Sequence, residues 1–460
     1  MLIHMQRTLA LLLVLVVLGC KKKPPAEPPD AGPTAKAVAD PGAIAGNGPS
    51  DAGSPVPAED GDAGASTTIT SPPLPLASDD LELVAVGKSW GSKIIWLKVL
   101  GSRVWLSGRN VDAYADGDGP LVPGPDMLKG LPYKPGVHAL DVAGIHPRLY
   151  ALRAKDVSSR VESPEPTVFV HRENGWSQAK PLDLISYPHA FVPWGDGVIV
   201  VDSQIHLNAG PFYNEERPGT TLLYIGPDGN VGAPNVTLDR RFLAWTAASD
   251  GATLTLLGTL GDPKRDEPFT NGLYVARGAA KDKLSVLLLA PNAQAGMEIY
   301  GSTVHELGTA AWVTPPRSVT IEETWRPTPT TVFRIADGKS QAKSPFSGDE
   351  CVVQGAAFVE TTLFVIRECF GSGEAPSLVR IGSDGKRERV KLPMLAKKEG
   401  GSFRVATASD KVPFRCDPRK LHVRAPADLW IETECGGGDG GGGIPAVFRR
   451  GHAQEVVTLP

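Results

Sequence analysis

After residue 20 this 460-residue chain has no apolar run long enough to cross a bilayer, which excludes a later membrane-spanning helix. It has no excess of either charge. Its 47 basic and 51 acidic residues are interspersed, and a formal charge of −4 leaves no basic footprint for nucleic acid. The 3.6-residue apolar period of long helices is absent. The five cysteines include no C-x-x-C pair, which argues against zinc and against thiol–disulfide exchange. There is no H-E-x-x-H, no paired catalytic carboxylate spacing and no triad signature. Gly87-Lys88-Ser89-Trp90-Gly91 spells G-x-S-x-G, but extended residues follow where a nucleophile elbow needs a helix. It is no P-loop either, because Glu82 stands where the first glycine belongs. The glycine-rich run 436–443 leads into a strand, so it is a flexible loop and not a phosphate cradle. Asp112, Asp116 and Asp118 lack the spacing and the closing Glu of a calcium loop. The expectation is no cofactor and no metal.

What is there begins at the N-terminus. Arg7 supplies a positive charge, Leu9 to Leu18 form a short uncharged apolar run, and Val17-Leu18-Gly19-Cys20 ends it. Such a run has the proportions of a signal-peptide core. Its ending resembles the lipobox of bacterial lipoproteins, which implies cleavage after residue 19, acylation of Cys20 and attachment to a membrane. Residues 20–78 are rich in Pro, Ala, Gly and Asp and contain no aromatic side chain. They cannot bury enough apolar surface to offset their ordering entropy, and read as a disordered tether spanning about 40 Å. Lys21-Lys22-Lys23 would rest on anionic headgroups. Lys21 after the lipid cysteine is not an inner-membrane retention signal of the Asp kind, so the outer membrane is expected.

From 79 to 460 a unit recurs. An extended segment runs to Gly or Asp-Gly and a second short one follows, as at Thr220–Gly229, Thr331–Gly338 and Leu378–Gly385. Strands meeting at Asp-Gly are a strong hairpin signal. Between these copies lies another hairpin with a bulky residue among aliphatics, at Trp105, Tyr150, Trp312, Phe364 and Trp430. The spacing implies an all-β β-propeller of about seven four-stranded blades, A inner to D outer; six or eight blades also fit, and a pair of sandwiches is the alternative. Blades are expected near 83–130, 137–184, 188–238, 241–290, 297–346, 351–393 and 402–460. Leu81 to Gly87 is alternatively a strand that joins the last blade and closes the ring. The whole resembles propeller lipoproteins of the Gram-negative cell envelope.

The register predicts two disulfides. Cys351 and Cys369 are symmetric about Glu360 at the tip of one A–B hairpin, and Cys416 and Cys435 are symmetric about Ala425-Pro426 at another. Each bridge would close a loop worth about 3 kcal/mol in the chain-entropy model.

The long connections fall between strands B and C, on one face. They carry Phe212, Tyr213, Arg217, Trp325 and Arg326, the candidate residues for binding a protein or glycan partner of the envelope. His138, His189, His305 and His422 fall on inner strands. Their offsets from the strand-B aromatics differ, which suggests different depths in the axial channel. The leading expectation is a non-enzymatic binding scaffold working through the B–C loop face. The alternative is an envelope hydrolase or lyase acting in the channel, which would need polar groups converging at one depth.

Overall fold

Strand-forming runs cut short by Gly and Asp-Gly leave no room for helices, and none occurs among the described residues. A computed structural model of the protein describes residues 74–460, except 90–91, 109–110, 132–139, 154–165, 174, 183, 185–186, 204, 207–209, 212–218, 261–271, 292–302, 315–317, 322–323, 328–330, 344–350, 370–373, 399 and 437–442. Five sheets of four strands and two of five form seven blades. Each inner strand packs against the inner strands on both sides, so the ring is closed. The expected seven-bladed propeller is what the chain forms. Three further two-stranded ribbons sit outside the blades.

Strands A to D of blade 1 are Ile94–Leu100, Arg103–Gly108, Asp112–Asp116 and Val122–Gly124. In blade 2 they are Leu140–Ile145, Arg148–Arg153, Thr167–Arg172 and Gly175–Gln178, and in blade 3 Tyr187–Trp194, Gly197–Ser203, Thr220–Ile225 and Val231–Gly232. Blade 4 comprises Phe242–Ser249, Thr253–Leu260, Gly272–Ala279 and Ser285–Pro291, and blade 5 Thr303–Leu307, Ala310–Thr314, Val332–Ala336 and Lys339–Lys343. Blade 6 has Cys351–Val359, Thr362–Cys369, Ser377–Ile381 and Arg387–Val390, with Leu76–Ala77 added in parallel at its outer edge. The C–D turns carry the Asp-Gly pairs. In blade 5 both Asp337 (φ 52°) and Gly338 (φ 66°) have the positive φ that a tight two-residue hairpin demands.

The first expected blade is corrected. Leu81–Gly87 is not the start of blade 1 but strand D of blade 7, after Cys416–Ala425, Asp428–Cys435 and Ile444–Arg450. Val457–Leu459 then adds in parallel outside it. Both ends of the propeller segment are therefore held in one sheet. Ala85 pairs with Val447 on one side and Val457 on the other.

The strand-B aromatics form the core between blades. Trp105, Tyr150 and Trp430 are completely buried and Phe364 nearly so. Burial of each such side chain is worth about 2–3 kcal/mol. The two disulfides join directly opposed residues of strands A and B, Cys351 with Cys369 in blade 6 and Cys416 with Cys435 in blade 7. They place the protein in an oxidising, extracytoplasmic compartment.

Closure is also electrostatic. The completely buried Arg449 donates to Asp428 (2.8 and 3.2 Å) and to the carbonyls of Gly119 and Gly117 in the C–D turn of blade 1, and lies 4.5 Å over the Trp430 ring. Arg424 bridges the same Asp428 to Asp118 of that turn. Burial pushes the Asp428 carboxyl up, but the hydrogen bonds from the two guanidinium groups outweigh it and hold the carboxyl below the usual range. The contribution is complete at neutral pH and is lost as pH falls through the lowered value.

Arg449→Leu leaves buried Asp428 with Arg424 alone and the Gly117 and Gly119 carbonyls without their donor, and should cost about 3–5 kcal/mol in chemical denaturation. The exposed pair Arg103–Asp116 (61 % side-chain exposure at Asp116) is the control, and Arg103→Ala should cost under about 1 kcal/mol. Equal losses would show that closure does not depend on the buried cluster.

Candidate active site

Propeller geometry brings the seven inner strands around one axis. Counting back from each A–B turn, the third cross-strand pair joins Lys98 to Trp105 in blade 1, His305 to Trp312 in blade 5 and His422 to Trp430 in blade 7. The same level in blades 2 and 6 is filled by Ala143 opposite Tyr150 and Ala357 opposite Phe364. Three basic or titratable groups thus stand at one level of the ring, Lys98 and His422 on adjoining blades and His305 beyond the small Ala357 of blade 6. The expectation of different depths is corrected for His305 and His422. His305 lies seven residues before its tryptophan and His422 eight, but a β-bulge between Val423 and Ala425 takes up the extra residue and restores the register.

These side chains line an axial cavity of about 570 Å³. Trp96, Lys98, His305, Lys420, His422 and Glu432 border it, and Gly101, Ile145, Asp250 and Leu307 surround it at the A–B turn end. His422 Nε2 is 2.6 Å from Glu432 Oε1. A proton held on Nε2 by this carboxylate leaves Nδ1 as the basic nitrogen. Burial raises the Glu432 carboxyl, but the His422 hydrogen bond and charge, aided by Lys420 and Lys98, more than offset it and keep the carboxyl low. Lys98 is tied to Asp141 of blade 2 at 2.6 Å. His305 stacks on Trp312 with centroids 5.3 Å apart. Burial, with a smaller repulsion from His422, depresses its pKa to about 4, so it is a neutral imidazole at neutral pH.

The side chain of Glu306, one residue on, is fully buried and locks blade 5 to blade 4. It accepts two bonds from Arg277 (2.9 and 2.7 Å) and one from Thr255 Oγ1 (2.5 Å). It is structural: both its oxygens are already engaged.

Besides the disulfide cysteines, His305 and His422 are the residues singled out from sequence that come together among the described residues. His138 lies outside the described residues, and His189 lies on blade 3's inner strand with its side chain outside them. Cys20, Phe212, Tyr213 and Arg217 are also outside. Trp325 and Arg326 lie on the short strand Thr324–Pro327, paired with Ser318–Ile321 beyond the blade 5 sheet, and their side chains are outside the described residues. The calcium-like aspartates are separately engaged: Asp112 accepts the Met127 N–H, Asp116 binds Arg103 and Asp118 binds Arg424. Lys98, Lys420, Glu432 and Trp96 were missed. The seven-residue offset of Lys98 from Trp105, identical to that of His305 from Trp312, was the available signal.

No protein-family model and no curated protein matches the chain. Among solved structures it is similar to one of two prolyl endopeptidases (13 % identity, TM-score 0.41, 77 % of this chain and 45 % of that one). It is similar to the polysaccharide lyase Uly1 (10 %, TM-score 0.41, 80 % and 92 %) and to prolyl oligopeptidase B from Galerina marginata (8 %, TM-score 0.39, 75 % and 47 %). The chain spans about half the length of these two peptidases. At these values the likeness is one of fold. The channel itself corrects the expectation of a non-enzymatic scaffold. That reading required packed, inert side chains in the channel, whereas the channel holds a cavity with ionisable groups gathered at one level.

Because the folded His305 binds its proton only near pH 4 and the unfolded chain near 6.5, the unfolded state takes up the proton first on acidification. The melting temperature should fall between about pH 6.5 and 4, and His305→Asn should flatten that slope. An unchanged slope in the variant would show that His305 titrates normally.

Proposed function

We propose that the protein is an extracytoplasmic hydrolase or lyase whose reacting centre is the axial channel. The observation that carries this is the placement of Lys98, His305 and His422 at one level around a single cavity, with Glu432 on His422. In this reading His422 is the general base. Glu432 orients the ring and stabilises the imidazolium that forms when Nδ1 takes a proton from substrate or water. Lys98, on the same level, supplies positive charge where an oxyanion or enolate develops. Neutral His305 is a second donor or acceptor on the opposite part of the ring. The structural neighbours, peptidases and a polysaccharide lyase, are consistent with chemistry of this class on this fold.

We also propose a lipid anchor at Cys20, on the lipobox-like Val17-Leu18-Gly19-Cys20, and attachment to the outer membrane through the tether. Cys20→Ser should abolish labelling by radioactive palmitate; retained label would exclude the anchor.

The catalytic reading is tested by incubating wild type and variants with acidic and neutral polysaccharides and with peptides. New reducing ends, new amino termini and the ultraviolet absorbance of an unsaturated sugar acid are followed. His422→Ala should lower turnover by about 10²–10⁴-fold, and Glu432→Gln by less, with a displaced pH profile. Turnover equal to wild type in His422→Ala, or no turnover of any substrate by wild type, would overturn the assignment.

A further inference from the structure

Two side chains in the channel have no role in that chemistry. Trp96 and Lys420 occupy corresponding places on the adjoining inner strands of blades 1 and 7, each two residues before the level of Lys98 and His422. In both strands a β-bulge ends at this residue, between Ile94 and Trp96 and between Pro418 and Lys420. A bulge re-aims the side chain that follows it. The corresponding bulges of blades 3, 4 and 6 end on Ala190, Thr246 and Gly355, which project little. Blade 2, which has no bulge, carries Asp141 at this place, tied to Lys98; among the described bulge-ending residues only those of blades 1 and 7 are large functional groups.

Lys420 stands directly opposite Glu432 in the register without an ion-pair contact to it, although its charge helps to hold that carboxyl low. Among the described residues Lys420 has no ion-pair partner, and it is exposed to the cavity. The other cavity cations are matched: Lys98 by Asp141, and Arg424 by Asp118 and Asp428. Trp96 packs partly on Trp105, with ring centroids 5.5 Å apart, and its remaining surface lines the same cavity. An indole and an unmatched ammonium lining one polar cavity are complementary to a ring with an apolar C–H face and a negative substituent.

We infer that Trp96 and Lys420 form a subsite for a carboxylate-bearing sugar of an acidic polysaccharide, the indole stacking on the ring and the ammonium binding the carboxylate. This rests on the axial channel being the functional site and adds its substrate class. An acidic peptide would satisfy Lys420 but has no need of the indole.

The test is calorimetric binding of an oligogalacturonate, a neutral galactose oligomer and polyglutamate to the full folded protein. The His422→Ala background is used so that no turnover is needed. The oligogalacturonate should bind at least about tenfold more tightly than the neutral oligomer. Lys420→Ala, an exposed position whose loss cannot unfold the protein, should weaken it about tenfold and reduce its salt dependence. Trp96→Ala should weaken the sugar about tenfold and leave polyglutamate unchanged, and Trp96→Phe should restore part of the sugar affinity. Equal affinity for acidic and neutral oligomers, or no effect of Lys420→Ala, would overturn the subsite. Polyglutamate binding as tightly as the sugar and insensitive to Trp96 would assign the channel to acidic peptides instead. Oligogalacturonate bound at this subsite, with no turnover of any substrate by wild type, would leave the subsite standing and overturn the catalytic reading alone. Turnover of neutral polymers only would do the reverse.

Discussion

The pairing of Leu81–Gly87 with Ile444–Arg450 is the constraint on which the rest of the molecule depends. Six blades are built from consecutive hairpins, but the seventh takes its outer strand from the other end of the propeller segment. An open ring would leave the sheet edge of Ile444–Arg450 bare and the faces of blades 7 and 1 unburied. The apolar cluster of Val84, Ala85, Trp430, Val447 and Leu459 with Leu97, Val104 and Leu106 exists only when that strand is in place. Buried Arg449 reaches across the same seam to the blade 1 turn, so packing and charge close the ring together. The seam stands beside the channel sector that carries His422, Glu432, Lys420, Trp96 and Lys98, all on blades 7 and 1. Closure therefore sets the geometry of the site as well as the stability of the fold.

The channel shows how a symmetric scaffold becomes asymmetric. Seven inner strands offer equivalent positions, and most are filled by Ala, Val, Gly or Thr, which keeps the axis open. The exceptions concentrate in blades 5, 7 and 1. β-Bulges matter here because they set both register and direction: one restores His422 to the level of His305, and two others turn Trp96 and Lys420 into the cavity.

The fold was largely legible in the sequence. Asp-Gly turns at Asp228, Asp337 and Asp384 and the strand-B aromatics gave the period, and symmetry about Glu360 and Ala425 gave both disulfides. The destination of Leu81–Gly87 was one of two readings, because an extended segment does not declare which edge it will pair with until the ring size is known. The site was less legible. Counting offsets in sequence put His305 and His422 at different depths, since a bulge changes register without leaving a residue signature. Lys98 and Lys420 on inner strands, and Glu432 on the neighbouring strand B, looked like ordinary strand residues, because the channel they border is created only by seven assembled blades. Attention to the long B–C loops followed from their length, a property that says nothing of chemistry at the axis.

The most direct measurement is a crystal structure of the His422→Ala protein grown with an oligogalacturonate. The expected result is sugar density in the axial cavity, with one ring against Trp96, its carboxylate at Lys420 and the scissile region beside the missing imidazole. A channel holding only water, with the oligosaccharide seated on the B–C loops, would contradict the assignment of the channel as the functional site.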